Sequence, residues 1–209
     1  MTVVDYGLGN LLSVKRGLEV CGAQVEISSD PKKLMNSKRI VFPGVGAFPD
    51  AMKRLHDLDL VTALREVASS GIPVLAICLG MQLLMEESEE FVTTQGLGLI
   101  PGKVIQVPSH SKDNVSQKVP IIGWSQLTGA NFEKTFKSTL LEDVTKEDSF
   151  YFVHSFMCQT ERKENLLATI DYGGHSIPAV IRHQNIVGAQ FHPEKSGRSG
   201  LKILRRFIS

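Results

Sequence analysis

The chain lacks three features that would identify large classes of protein. It has 3 cysteines in 209 residues, Cys21, Cys78 and Cys158, with no Cys-x-x-Cys pair, so neither a disulfide framework nor a cysteine zinc site is predicted. Its 23 basic and 22 acidic residues nearly cancel, which gives no electrostatic reason to expect nucleic acid or an acidic membrane as a partner. No apolar run reaches the roughly 20 residues that cross a bilayer.

The first residues of the sequence also lack the pattern of a secretory signal. Residues 1–7 contain no basic segment followed by an apolar one, which is how such signals begin. An odd number of cysteines without obvious partners is typical of a reducing compartment. We therefore expect a cytoplasmic protein, and the length of the chain fits a single domain over residues 1–209.

Short apolar runs alternate with helical patterns through the first half of the chain. Strands are predicted at 2–5, 24–27, 39–42 and 73–78, and helices at 10–21, 47–55, 60–69 and 81–86. The run at 73–78 is apolar almost throughout, as in a strand that is buried on both faces. This alternation predicts an α/β fold with a mostly parallel central sheet flanked by helices.

The pattern changes from about Gly96 onward, where strands outnumber helices. Strands are predicted at 102–107, 149–158, 167–172, 179–182 and 186–191, followed by a last helix at 200–208. The turn signals between these strands predict an antiparallel or mixed extension of the sheet in the second half of the chain.

Cys78 is the first candidate for a catalytic residue. It stands between the apolar strand and a predicted helix, with Gly80 in the connecting turn. Elbows of this kind project a nucleophile above a parallel sheet. A helix N-terminus favours the thiolate form of a cysteine and leaves N–H groups free, so the N–H of Leu79 is expected to form half of an oxyanion hole. The alternative interpretation of Cys78 is a buried structural cysteine.

A second motif, Phe-His-Pro-Glu-Lys-Ser at 191–196, offers a base for that nucleophile. Pro193 disfavours a helical conformation at His192. An extended segment is therefore predicted, in which His192 and Glu194 project to the same side and the carboxylate orients the imidazole. The alternative for a lone His-Pro-Glu sequence is a surface turn, but its place after an apolar strand favours a site at the edge of the sheet.

A third motif, Phe-Pro-Gly-Val-Gly-Ala at 42–47, again indicates a strand, a glycine turn and a helix. Closely spaced glycines let backbone N–H groups approach a ligand. Either Val45 or Gly46 is therefore expected to supply the other half of the oxyanion hole.

No motif in the chain predicts a cofactor or a metal. Gly7-Leu8-Gly9 follows a strand, but Leu12 stands at the place of the third glycine of a dinucleotide-binding loop. The remaining histidines show no metal-ligand spacing; they are His56, His110, His175 and His183.

Taken together, the motifs resemble those of the class I glutamine amidotransferases. Among these, they are most similar to the glutaminase subunits of imidazole glycerol phosphate synthase, and the similarity runs the full length of the chain. The matching segments are, in order, 5–10, 43–48, 77–82, 96–102, 123–124, 151–156 and 190–196. The resemblance implies a flavodoxin-like α/β fold of the class I glutamine amidotransferase type.

The resemblance also implies a reaction and the residues that perform it. Cys78 would attack the side-chain amide of L-glutamine, His192 would transfer protons, and Glu194 would position His192. The oxyanion would be stabilised by the backbone of Leu79, Val45 and Gly46. The residues expected to bind the substrate are Gly44, Gln82, Ser155 and Phe156.

The family passes its ammonia to a partner. The resemblance implies a heterodimer with a separate (β/α)8-barrel cyclase subunit, which forms the imidazole ring in histidine biosynthesis. The residues expected to face that subunit are Asn10, Trp124 and His154.

Three residues depart from the family's pattern. Ala76 replaces a glycine two positions before the nucleophile, where one extra methyl would either crowd the turn or be absorbed by repacking. Ile121 and Ser125 replace a histidine and an asparagine around Gly-Trp, which changes an expected interface. These two residues leave open the alternative that the chain is a paralogous subunit, which supplies ammonia to a sugar-amidine synthase in the synthesis of surface polysaccharides.

Two hypotheses from other functional classes also remain. One is a non-catalytic regulatory subunit of the same fold, which would need none of Cys78, His192 and Glu194. The other is a stand-alone cysteine hydrolase that acts on γ-glutamyl peptides. Activity that depends on a partner would separate the glutaminase subunit from both.

Overall fold

The structure is a computed structural model, and it describes residues 1–129 and 136–209. The helices in these residues are α1 (Leu11–Val20), α2 (Pro31–Met35), α3 (Phe48–Asp57), α4 (Leu60–Ser69), α5 (Leu79–Leu83) and α6 (Gly197–Ile208). The strands are β1 (Thr2–Val4), β2 (Glu26–Ser28), β3 (Ile40–Gly44), β4 (Val74–Cys78), β5 (Met85–Ser88), β6 (Thr94–Gln95), β7 (Ile100–Gln106), β8 (Ile121–Gln126), β9 (Ser149–His154), β10 (Phe156–Thr160), β11 (Leu166–Tyr172), β12 (His175–His183) and β13 (Ile186–Ala189). Two short 3-10 helices lie at Lys163–Asn165 and Pro193–Lys195.

The central sheet has the order β11-β12-β13-β4-β3-β1-β2. Strands β13, β4, β3, β1 and β2 run parallel to one another, and β12 and β11 extend the sheet with antiparallel pairs. The predicted fold, a mostly parallel sheet with an antiparallel extension, is confirmed. Because parallel strands end at the same edge of a sheet, the last residues of β3 and β4 lie side by side, with Gly44 paired to Cys78.

Side chains alternate across the central strands and separate two apolar cores. In β4, Leu75 and Ile77 join the core beneath α1 and α6, whereas Val74 and Ala76 join the core beneath α3 and α4. Every residue of β3 and β4 is buried, as expected for parallel strands that are covered by helices on both faces. This double cover encloses the end of β4, where Cys78 lies.

A smaller sheet has the order β10-β7-β5-β6, and β8 and β9 form a separate pair of strands. The helix predicted at 81–86 is wrong in its last residues, because α5 ends at Leu83 and Met85 begins β5. Met85 pairs with Ile100 of β7, so pairing between strands overrides the local helix propensity. The predicted strand 149–158 divides at Ser155 into β9 and β10, which belong to different sheets. Strand β8 was not predicted.

None of the helices in the described ranges is both long and apolar enough to cross a membrane.

Candidate active site

The turn from β4 to α5 places Cys78 in a strained conformation. Its φ of 54° and ψ of −112° are rare for a residue with a side chain, and such strain is concentrated at functional sites. Gly80 permits the turn, because a Cβ at that position would lie 2.0 Å from the carbonyl oxygen of Phe42. The elbow therefore depends on close contact between α5 and the backbone of β3.

His192 and Glu194 form a buried pair at the end of β13. The His192 Nδ1 atom lies 2.8 Å from Glu194 Oε1, and the two side chains are 3% and 1% exposed. The predicted extended segment is wrong for Glu194, which lies in the 3-10 helix Pro193–Lys195. The N–H of Lys195 donates to the carbonyl of His192 at 3.0 Å, and this tight turn brings the two side chains together.

The surroundings of His192 favour its charged form. Burial opposes the imidazolium, but hydrogen bonds to Cys78 and Glu194 outweigh it and raise the pKa of His192 to about 10. Because Nδ1 is engaged by the carboxylate, Nε2 is the ring nitrogen left for the sulfur. The three residues thus form one charge-coupled unit.

The residues predicted for the oxyanion hole lie around the same sulfur. Leu79 is the first residue of α5, so its N–H has no acceptor within the helix. Val45 and Gly46 follow β3, and Gly46 has a φ of +105°, a conformation that favours glycine. Together with Cys78 and Leu79 they line a single cavity. Gly44 does not line it, because it is packed beneath Tyr6, whose hydroxyl would lie 2.2 Å from a Cβ at Gly44.

The cavity has a volume of about 320 Å³, at the small end of the range for ligand sites. Three of the predicted substrate-binding residues line it, namely Gln82, Ser155 and Phe156, and so do His154 and His192. Among the described residues, no group of three or more His, Cys, Asp or Glu is arranged to hold a metal ion.

Sequence reasoning missed Glu90, which also lines the cavity. Its side chain accepts a hydrogen bond of 2.8 Å from the N–H of Phe48, at the start of α3, and burial raises the pKa of the carboxyl group. Glu90 is one of four glutamates within residues 86–90. Nothing in that run distinguishes it from an exposed acidic segment.

A network of amides connects the cavity wall to the Cys78 sulfur. Gln82 Nε2 donates to the Phe156 carbonyl at 3.0 Å and to Gln190 Oε1 at 3.1 Å. Gln190 Nε2 in turn lies 3.8 Å from Cys78 Sγ. The Phe156 carbonyl also accepts from His154 Nδ1 at 2.9 Å. Gln190 was not predicted as a site residue, since its position next to the His-Pro-Glu sequence gives no indication of which way its amide points.

The three residues predicted to face a partner lie in different environments. Trp124 is 58% exposed on β8 and stacks edge-on against Tyr151 of β9. Asn10 precedes α1 and is partly exposed. His154 is only 6% exposed and contributes to the cavity wall, so the structure does not bring its side chain to the Trp124 surface.

Two of the three departures from the family's pattern, Ala76 and Ile121, are accommodated inside the protein, whereas Ser125 on β8 is partly exposed. Ile121 is 4% exposed and faces the core, so the expectation that it alters a docking surface is wrong; the neighbouring Ile122, at 64%, is the exposed residue. Ala76 is fully buried and pairs with Gly188 of β13. A Cβ at Gly188 would lie 2.7 Å from the Met81 side chain, and Ala76 packs with Met81 in the same apolar core.

Comparison with known proteins gives matches over the whole chain. A family model described as "Glutamine amidotransferase class-I" matches residues 2–209. The subunit HisH 1 of imidazole glycerol phosphate synthase from Legionella pneumophila (strain Lens) is 44% identical over 208 residues, which cover 100% of this chain and 98% of the relative. The HisH subunit from Halalkalibacterium halodurans is 45% identical over 205 residues, covering 98% and 93% of the two chains.

Solved structures with lower identity share the fold. A structure described as a glutamine amidotransferase has a TM-score of 0.73 at 16% identity and covers 99% of this chain and 96% of its own. PurLQS from Thermotoga maritima has a TM-score of 0.71 at 19% identity, again with 99% and 96% of the two chains covered.

Proposed function

Because the chain belongs to the class I glutamine amidotransferase family, we propose that it is the glutaminase subunit of an imidazole glycerol phosphate synthase and supplies ammonia for histidine biosynthesis. The observation that carries this proposal is the buried His192–Glu194 pair, whose imidazole lines the same cavity as Cys78. The relatives at 44–45% identity that are named as HisH subunits support the choice of pathway. On this proposal, residues 1–209 act as one amidotransferase domain.

The reaction begins with attack of the Cys78 sulfur on the side-chain amide carbon of L-glutamine. His192 holds the proton of the thiol, as expected from its raised pKa. The attack forms a tetrahedral intermediate with a negative oxygen. On this proposal the N–H of Leu79 and those of the Val45–Gly46 segment stabilise that oxygen, because these residues line the same cavity as the sulfur.

The intermediate then collapses to a thioester. His192 gives its proton to the departing nitrogen, which leaves as ammonia. A water molecule that loses a proton to His192 attacks the thioester and releases glutamate, with the thiol restored. Glutamine and water are thus converted to glutamate and ammonia, and Glu194 keeps the imidazole oriented through both halves.

The cavity offers complementary groups to the remainder of the substrate. Glu90 presents a carboxyl group whose pKa is raised by burial and by the charge of Asp50, and the α-ammonium group of glutamine supplies a compensating cation. The backbone between Ser155 and Phe156 and the amide of Gln82 bind the other polar atoms. The cavity volume of about 320 Å³ fits a single amino acid.

The partner is proposed to be a separate (β/α)8-barrel cyclase subunit that receives the ammonia. Trp124 and Ile122 form an exposed apolar pair on one face of β8, and such residues are enriched where proteins dock. Asn10 is proposed to contact the same partner. His154 lies in the cavity wall, and we propose that it belongs to the catalytic side of this interface.

The proposal is tested by measuring glutamate release from L-glutamine, with the chain alone and with a cyclase subunit and its ribotide ligand. We expect the cyclase and ribotide to increase release strongly. The Cys78→Ser variant should lose at least about 10³-fold in rate, whereas Cys21→Ser, at a cysteine far from the cavity, should retain it. Turnover in Cys78→Ser, or a rate that the cyclase does not change, would contradict the proposal.

A further inference from the structure

We propose that Gln190 is a positioning residue for the Cys78 nucleophile: its side-chain amide donates a hydrogen bond to Sγ, and its orientation is dictated by the Phe156 carbonyl through Gln82. The inference deepens the proposed function, since it rests on Cys78 being the nucleophile. It assigns a task to a buried amide that the acyl-transfer steps themselves do not use.

The direction of the Gln82 amide follows from the Phe156 carbonyl. A backbone carbonyl can only accept a hydrogen bond. The Gln82 side chain, 3.0 Å away, must therefore present its nitrogen. His154 Nδ1 donates to the same oxygen at 2.9 Å, so that oxygen has two donors. The orientation of the Gln82 amide, which is ambiguous for an isolated glutamine, is settled by this contact.

The orientation of Gln190 follows from that of Gln82. The Gln82 nitrogen is also 3.1 Å from Gln190, so Gln190 must present its oxygen to it. Its nitrogen is then left on the other side of the amide, 3.8 Å from Cys78 Sγ. The Phe156 carbonyl on β10 thus determines, through Gln82 and Gln190, that Cys78 Sγ receives an N–H.

Burial makes this contact selective for the charged sulfur. Gln190 is fully buried, and a buried N–H without an acceptor is unfavourable. Among the described residues, Cys78 Sγ accepts the hydrogen bond from the Gln190 amide nitrogen. A thiol is a weak acceptor and a thiolate a strong one, because hydrogen bonds to ionised groups are stronger. The contact therefore favours the thiolate that attacks glutamine.

Gln190, a neutral hydrogen-bond donor to the sulfur, complements the charged donor His192. His192 stabilises the thiolate as an imidazolium, but it must give up its proton when ammonia leaves. Gln190 carries no titratable proton, so it contacts the sulfur throughout the reaction. The contact also fixes where the sulfur lies in the strained elbow, since Gln190 is anchored by its own N–H, which donates to the Ala179 carbonyl at 2.8 Å.

The inference is tested by alkylating Cys78 with iodoacetamide between pH 5 and 10, without glutamine or a partner. The reaction is quantified by mass spectrometry on the peptide that contains Cys78, so Cys21 and Cys158 do not interfere. Gln190→Met keeps the volume and removes the donor. We expect a midpoint of the pH profile about one unit higher in the variant, and about tenfold slower alkylation at pH values below both midpoints, because one unit corresponds to a tenfold change.

Two further variants keep the test decisive. Gln190→Glu preserves the shape of the side chain and replaces the N–H by an acceptor, so it should also alkylate more slowly, and it serves if Gln190→Met does not fold. Gln159→Glu makes the same change at an exposed glutamine of β10 and should leave the profile unchanged.

The outcomes separate this inference from the proposed function. An unchanged midpoint in folded Gln190→Met or Gln190→Glu protein would overturn the role of Gln190, whether or not the protein hydrolyses glutamine. A shifted midpoint supports the role. If the wild-type chain shows the shift relative to its variants but releases no glutamate with any cyclase, the proposed function is wrong and the contact between Gln190 and Cys78 stands.

Discussion

The His192 imidazole donates through Nδ1 to the Glu194 carboxylate, 2.8 Å away, at a place where both side chains are almost completely enclosed. The two residues are held together by a one-turn 3-10 helix rather than by a strand. The contact fixes the position of the proton on Nδ1 and turns Nε2 toward the sulfur. The protonation of the whole site therefore depends on a single short turn of backbone.

Replacing the carboxylate should change the pH dependence of the reaction. In Glu194→Gln the imidazolium loses its charged partner, so the pKa of His192 should fall from about 10. Since His192 must carry a proton when ammonia leaves, we expect the alkaline limb of kcat/KM to move to lower pH. The rate at neutral pH should fall by about 10²-fold or more. The measurement is glutamate release between pH 6 and 11 with the activating partner present.

A matched control for this variant is Glu66→Gln, at an exposed glutamate of α4. It makes the same chemical change far from the cavity and should leave both the rate and the profile intact. An alkaline limb that stays in place in Glu194→Gln would show that Glu194 does not set the protonation of His192.

His154 should make the protein sensitive to mild acid. Burial, together with the nearby His192, lowers the pKa of His154 to about 4 from an ordinary value of 6.5. The unfolded chain therefore binds a proton at His154 near pH 6.5, whereas the folded protein binds it only near pH 4. Stability from this group is complete above pH 6.5 and is lost as the pH falls toward 4, by on the order of 3 kcal/mol.

The variant His154→Gln stays neutral throughout this range and retains an N–H for the Phe156 carbonyl. We expect its free energy of unfolding to fall less between pH 6.5 and 4 than that of the wild type, measured by urea denaturation at each pH. His56→Gln, at an exposed position on α3, should follow the wild type. Identical slopes for His154→Gln and the wild type would contradict a neutral, buried His154.

Trp124 should be required for docking the cyclase and dispensable for folding. It is 58% exposed and adjoins the exposed Ile122, so Trp124→Glu introduces a charge where an apolar contact is proposed. We expect at least about 30-fold weaker binding to the cyclase, measured by titration calorimetry, because centrally placed aromatic residues contribute about 2 kcal/mol or more. Stimulation of glutamate release should fall in parallel.

The control for that prediction is Val20→Glu, at the last residue of α1. Val20 is 69% exposed and lies at the opposite end of α1 from Asn10, so it tests whether a charge at any exposed apolar position has the same effect. Unimpaired binding of the Trp124→Glu protein would exclude this face from the interface.

Local sequence patterns predicted much of the central sheet and its edge. The helix over 60–69 begins and ends where it was predicted, and β4 differs by one residue, because apolar runs and helical spacing reflect burial directly. The glycines at 44, 46 and 80 indicated tight turns, because a residue without a Cβ adopts backbone conformations and close contacts that other residues do not. Cys78, His192 and Glu194 were predicted as catalytic residues from motifs that each occupy a few adjacent residues.

Tertiary structure decided what adjacent residues could not. Glu90 and Gln190 belong to the cavity and its network only because separate elements bring them to Cys78, from positions 12 and 112 residues away along the chain. His154 and Trp124 lie on one pair of strands, and the pleat sends them to opposite faces. The sequence by itself determined the strands of the central sheet, the elbow and the chemical types of its predicted nucleophile and base. The folded chain alone determined the orientation of each amide and the burial of each charge, because both depend on contacts between segments that are distant in sequence.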